Sequence, residues 1–201
     1  MRKITFLIAL FFSVTTYSQE DFIITINDKK MEVDLDQEYS LNLNGKEINF
    51  SISAKDTLTY KDEMFSFKYP KNYKISEIDL GDGVTQFVIM TAEGTGFMIQ
   101  KYTSMSPTMM NEMMLNELTK ESISYGFKME RKDYSKKLSS GHEVKVNKAV
   151  LTYKEDTNIY ELMSIGKKDE GLILVTMSMS AELSPESRKL ISMMWDSLSI
   201  Y

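Results

Sequence analysis

Sixteen methionines, one histidine and no cysteine set the chemistry open to this chain. Met105, Met109 and Met113 recur at four-residue steps, and thioethers are soft donors that suit Cu(I). Methionine also fills irregular core gaps or makes adaptable apolar contact surfaces. No His or Cys lies in sequence reach to strengthen a ligand set, so core filling or contact is the better-supported role and copper the lesser one. Glu32, Asp34, Asp36 and Glu38 alternate, which on one strand places four carboxylates on one face and Val33, Leu35 and Tyr39 on the other. Such oxygen clusters can take Ca²⁺, yet the spacing lacks the loop glycine and distal glutamate of a calcium loop. A solvated sheet face explains the alternation without an ion.

His142, just after Ser139-Ser140-Gly141, is the only imidazole available to a triad or a histidine metal site. No Gly-x-Ser-x-Gly elbow and no second histidine accompany it, so it reads as a solvated turn residue. Gly94 and Gly96 form a lone Gly-x-Gly between strands, a hairpin rather than a phosphate loop. Carboxylate-only hydrolysis remains open to a chain with 29 acids, but no pair is marked out. A single tryptophan argues against a sugar cleft. No cofactor is implied.

The chain begins as an export signal does. Arg2 and Lys3 precede the apolar run Ile4 to Val14, and Thr16-Tyr17-Ser18 supplies small residues ahead of Gln19, so cleavage after Ser18 is expected. The run is shorter than the ~20 residues that span a bilayer, so no transmembrane segment is expected after cleavage. No cysteine near the cleavage point offers a nucleophile for lipid attachment. Loss of Arg2 and Lys3 from 24 basic residues, against 29 acidic ones, leaves a net charge of about −7. Nucleic acid is an unsuitable partner for so acidic a chain, because that affinity comes from clustered Lys and Arg. Without disulfides, stability in an oxidising compartment must come from a packed core.

Period-two alternation dominates the chain beyond the cleavage point. Phe22, Ile24 and Ile26, then Val33 and Leu35, flank Asn27-Asp28-Lys29-Lys30, and Asn44-Gly45 joins Leu41-x-Leu43 to Ile48, Phe50 and Ile52 as a tight hairpin. Strands are predicted at 65–70, 73–78, 84–91, 97–102, 128–136, 143–155, 159–167 and 172–180, the last near the sheet centre. Ser106-Pro107 predicts a helix start, with Met110, Met114, Leu118, Ser122 and Tyr125 on one stripe, Leu115 beside it and Gly126 as terminator. Ser184-Pro185 predicts a second helix with Leu190, Ile191, Met194 and Leu198 facing inward. The expected fold class is α+β, an antiparallel sheet covered by two helices, with N-terminal β-hairpins.

Phe65-Ser66-Phe67-Lys68-Tyr69-Pro70-Lys71-Asn72-Tyr73, together with the long helix and the ending from Leu172 through Ser184-Pro185 to Trp195 and Leu198, resembles the PsbP-like group over residues 59–201. That group's α-β-α sandwich is shared by photosystem extrinsic proteins, a Ran-binding import factor and DcrB-type proteins. The resemblance implies a non-enzymatic binding or accessory role and carries over no site residue. The expected organisation is a signal peptide at 1–18, β-hairpins at 19–58 and the PsbP-like domain at 59–201. The expected function is that of a secreted or periplasmic, non-enzymatic domain contacting another envelope or secreted protein. Small-ligand or metal-ion (Cu or Ca) binding is the alternative, and a carboxylate-dependent hydrolase the third reading.

Overall fold

The computed structural model describes residues 22–43 and 45–201. The expected signal segment 1–18 and Asn44 of the expected Asn44-Gly45 turn lie outside them. The chain divides into two compact units between Lys55 and Asp56.

The first unit holds two hairpins. β1 (Phe22–Ile26) pairs with β2 (Lys29–Val33), and β3 (Glu38–Leu43) with β4 (Lys46–Ser51), both antiparallel. Asn27 and Asp28 both take positive φ, the conformation a two-residue primed turn demands and one that Asn and Asp tolerate best after glycine. Val33 is buried, Tyr39 stacks on Phe50 at 5.8 Å, and the Asp36 amide bonds the Ile52 carbonyl at 2.7 Å.

The second unit is built on one long antiparallel sheet. Its strands are β7 (Ser76–Gly81), β8 (Val84–Met90), β9 (Gly96–Tyr102), β10 (Lys128–Arg131), β11 (Tyr134–Lys137), β12 (Glu143–Tyr153), β13 (Asp156–Gly166) and β14 (Gly171–Ser178). The order is β10-β12-β13-β14-β9-β8-β7, with β11 pairing β12 beside β10. β14 is central, and its residues Gly171 to Thr176 are buried on both faces. A second, three-stranded sheet has the order β15-β6-β5, from β5 (Thr57–Lys61), β6 (Phe65–Pro70) and β15 (Ser199–Ile200). Among the described residues the helices are α1 (Asn111–Tyr125) and α2 (Pro185–Ser197).

This overturns the α+β expectation of a sheet covered by two helices. Strands hold 52% of the structure and helices 16%, a β-rich fold made mostly of antiparallel sheets. The reason lies in residues 57–70. Their aromatic alternation pairs β5 with β6, and Phe65 and Phe67 then pack as a sheet face onto Phe87, Ile89, Phe97 and Ile99 of the long sheet. Period two thus supplies the inner layer here, with Leu190, Met194 and Trp195 of α2 completing the same core. The opposite face carries α1, where Leu115 packs on Ala149, Leu151 and Tyr160 of β12 and β13, and Met114 and Leu118 reach Tyr102 of β9 and Ile173 and Val175 of β14.

Local boundaries moved for local reasons. The helix expected from Ser106-Pro107 begins instead at Asn111, because the Met110 amide bonds the Pro107 carbonyl in a turn and the Ser106 hydroxyl pairs with that of Thr108. Ser184, by contrast, does cap α2 by accepting from the Ser187 amide, with Pro185 in the first turn. Tyr125, expected on the inward stripe, is 72% exposed and leans edge-on against Tyr153. The strand expected over 128–136 breaks at Lys132-Asp133, where Asp133 turns its carboxylate inward to accept from the Lys148 amide and the Asn147 side chain. The strand expected over 73–78 starts only at Ser76 and runs to Gly81, after the Tyr73 amide closes a turn onto the Pro70 carbonyl.

If the contact between the sheets carries the stability, Phe67→Ala lowers the unfolding free energy by about 3–5 kcal/mol. Ile78→Ala on the exposed edge strand changes it by no more than about 0.5 kcal/mol. Denaturant titration of the two variants checks the contrast.

Candidate functional site

Met105, Met109 and Met113 surround the start of α1, on the connection from β9 and on the first turn. Their exposures are 43%, 95% and 60%, high for apolar side chains. Met110 and Met114, one position along, turn inward with Leu118 and pack with Met98 and Met177 against Tyr102, Leu162, Ile173 and Val175. Alternation along the sheet puts Met98, Met177 and Met90 on the face that carries α1, with Met90 38% exposed. Methionine therefore runs from the helix start onto the sheet. The helical stripe was legible in the sequence; the sheet methionines were not, because single residues on three strands meet only through register.

An ionic clip fixes the helix start. Arg131 on β10 bonds both oxygens of Glu112 in the first turn of α1, at 2.9 and 3.1 Å, and both oxygens of Asp133, at 3.1 and 2.8 Å. Asn111 donates to Asn147, which donates to Asp133. Hydrogen bonds from Arg131 draw the Glu112 carboxyl below its ordinary range. Burial pushes the Asp133 carboxyl upward, but Arg131, the Lys148 amide and Asn147 outweigh it and its net shift is downward. Since α1 has no side-chain cap at Met110, this clip substitutes for one. It settles which way Met109 and Met113 face.

His142 lies where two turns and the second sheet meet. It is exposed, its Nδ1 is 3.0 Å from the Ser140 hydroxyl, and it borders a pit of about 240 Å³ at the open end of the two sheets. Met64, Ile165, Leu172 and Ile200 line the apolar part; Lys167 and Glu170, 3.3 Å apart, stand at the rim. Small-molecule sites span roughly 300–1,000 Å³, so the pit suits one inserted side chain better than a substrate. Ser140 is the side-chain partner the described residues give this imidazole, and Lys167 and Glu170 are paired with each other.

Elsewhere the polar side chains are paired with one another or partly withdrawn from water. Burial, then Glu77 and Asp62, pushes the Tyr60 phenol up to about 12. Burial and Glu161 push Tyr134 upward as well. Both phenols stay protonated near neutral pH. Burial alone depresses the Lys101 ammonium, but Asp62 at 2.8 Å and Glu63 at 3.4 Å outweigh it, so Lys101 stays charged. Glu161 is tied to Lys148 at 2.9 Å and to the Thr176 hydroxyl at 3.3 Å.

The four alternating carboxylates do not share a strand face. Glu32 ends its run on β2, Asp34 and Asp36 occupy a turn where Asp36 takes φ 59°, and Glu38 opens β3. That turn breaks the period of two. Among the described residues, no three His, Cys, Asp or Glu side chains gather as a metal ligand set.

The clip carries a pH dependence of definite sign. Glu112 and Asp133 have folded-state values below their ordinary 4.5 and 3.8, so their stabilisation is full above the ordinary values and is lost as pH falls through the depressed ones. Amide exchange over 114–119, whose N–H groups bond within the helix, is expected to stay slow at pH 6 and to accelerate below about pH 4, after correction for intrinsic rates. Arg131→Gln flattens that pH response; an unchanged response in the variant would remove the clip from the account.

No family model matches the chain, and no curated protein matches it. Among solved structures, the chain is similar to a protein of Bacteroides thetaiotaomicron VPI-5482 whose crystal structure was determined at 1.50 Å, with a TM-score of 0.38 and 14% identity. The match covers 71% of this chain and 48% of that one. The resemblance of residues 59–201 to the PsbP-like group thus rests on their sequence pattern alone.

Proposed function

We propose that this protein is an exported, non-enzymatic accessory domain that works by contact with another envelope or secreted protein, through the methionine surface at the start of α1. The observation that carries this reading is the exposure of Met109, just before α1, and Met113, in its first turn, at 95% and 60%, beside the Arg131 clip. Large apolar groups left in water on an anchored element are favourable to cover, at about 25 cal/mol per Å² buried. Unbranched thioethers adapt to irregular partners, and surfaces of this type bind by repacking rather than by fixed complementarity. Export is supported by the composition of residues 1–18, so the secreted form is expected to begin at Gln19. N-terminal sequencing of the exported protein checks the cleavage.

A photo-crosslinking residue placed at Met109 in the full chain is expected to yield one dominant adduct in an envelope extract. The same residue at exposed Ser192 on α2 is expected to yield none. Met109→Ser combined with Met113→Ser is expected to shift stability by less than about 1 kcal/mol in total, while abolishing capture through a crosslinker at neighbouring Thr108. No adduct at Met109, or adducts alike at both positions, would count against the contact surface.

A further inference from the structure

The same exposure that favours contact leaves thioether sulfur open to oxidants, and the methionines among the described residues run from exposed to fully buried. Met109 is 95% exposed, Met113 60% and Met105 43%; Met90, Met129 and Met179 are each 38% exposed; Met163 and Met194 are buried at 1% and 0%. Two of the middle group, Met90 and Met179, lie close against glycine backbone. A Cβ built on Gly96 would lie 2.6 Å from the Met90 sulfur, and one on Gly94 would lie 3.0 Å from the Met179 Cγ, so both side chains fold onto strand or turn backbone. Met109 precedes the helix, and its side chain belongs to none of the apolar clusters.

We propose that Met109 and Met113 form a reversible oxidation site for peroxides, which converts the soft contact surface into a polar one without disturbing the fold. A sulfur lone pair attacks one peroxide oxygen, an S–O bond forms as the O–O bond breaks, and the departing hydroxide takes the proton of the transferred oxygen. The products are the sulfoxide and water, with sulfur oxidised by two electrons and the peroxide reduced by two. The chain has no cysteine to intercept the oxidant first. Each sulfoxide adds a strong hydrogen-bond acceptor that a partner's apolar surface leaves unpaired, and such groups are costly to bury. Met110 and Met114, which anchor the same turn inside the cluster with Met98 and Met177, are partly buried. The helix therefore keeps its packing while its outer surface changes. Sulfoxide reductases restore the thioether with two electrons from external thiols, which become a disulfide as the oxygen leaves in water.

The loss of contact on oxidation rests on the proposed function; the selectivity of oxidation does not. The test treats the full chain with hydrogen peroxide and follows each methionine by peptide mass mapping. Met109 and Met113 are expected to oxidise at least about tenfold faster than Met163 and Met194, with Met105 next and Met90 and Met179 behind it. The doubly oxidised protein is expected to keep its melting temperature and to recover its mass on treatment with sulfoxide reductases. Oxidation of Met163 or Met194 in step with Met109, or loss of the folded signal at two oxygens per chain, would overturn the site. Crosslink capture at Thr108 separates the two readings: capture before oxidation but not after supports the switch, and equal capture before and after overturns it. Capture in neither state, with the selective oxidation intact, sinks the contact surface and its switching while leaving the modification site standing.

Discussion

Phe67 meets Phe97 edge-on at 5.1 Å, and Phe65 meets Phe87 edge-on at 5.4 Å, which joins the short sheet to the long one through aromatic faces and edges. Full burial of each ring contributes about 1.5–3 kcal/mol, and each favourable ring pair adds about 0.5–1.5 kcal/mol. The second unit depends on that contact because its chain ends close there. β15 pairs with β6, the Lys68 amide bonds the Ser197 hydroxyl at 2.7 Å, and α2 lays Leu190, Met194 and Trp195 into the same core. Residues 65–70 and 190–200 thus fold as one block although more than a hundred positions separate them. Removing a ring would open a cavity and loosen both segments together.

The other face follows a different rule. α1 covers β12 and β13, and its own apolar stripe is short, with Leu115 and Thr119 its only fully buried residues. At its start Met110 and Met114 pack on the sheet but are themselves only partly buried. Charge completes the anchoring, through bidentate Arg131, whose planar fork matches two carboxylates at once. One face is therefore fixed by dry aromatic contact that ignores pH and salt. The other is fixed by ionised groups that do not, and the exposed methionines stand on that second face.

Much of this was legible in the chain and some was not, for identifiable reasons. Hairpin turns at Asn27-Asp28 and the centrality of Leu172 to Thr176 follow from local rules, since positive φ and an unbroken apolar run each have one good structural solution. The two-helix covering failed because strand alternation in 57–70 says that one face is buried without saying against what. Only the pairing of Ile200 with Phe65 turns that ribbon into a layer. The helix start failed for a subtler reason. Ser106-Pro107 and Ser184-Pro185 share the same two residues, yet Ser184 accepts from the Ser187 amide while Ser106 pairs with Thr108. Gly171 packs so tightly on the Pro107 ring that a side chain there would collide with it. Tertiary approach of the β13–β14 turn thus commits Pro107 to a turn before the helix can use it. Candidate chemistry divided similarly: the period of Met105, Met109 and Met113 was visible, whereas the Arg131 clip joins 112, 131, 133 and 147 through register alone.

Stability and the proposed contact are consequently assigned to separate sets of residues. Met163 and Met194 sit at or near zero exposure among aromatic and aliphatic partners, so any polar atom added there would be buried without a partner. Met109 and Met113 project from a turn whose position is set by Arg131, Glu112 and Asp133, and none of those three groups touches a thioether in order to do so. A change confined to the outer sulfurs alters the polarity of the surface and leaves the forces that shape it untouched. Two identical side-chain types, separated only by depth, can therefore serve one as filler and the other as an adjustable surface. That division requires the clip to be independent of the methionines it displays, which is the geometry that Asp133, bonded to Arg131, Asn147 and the Lys148 amide at once, provides.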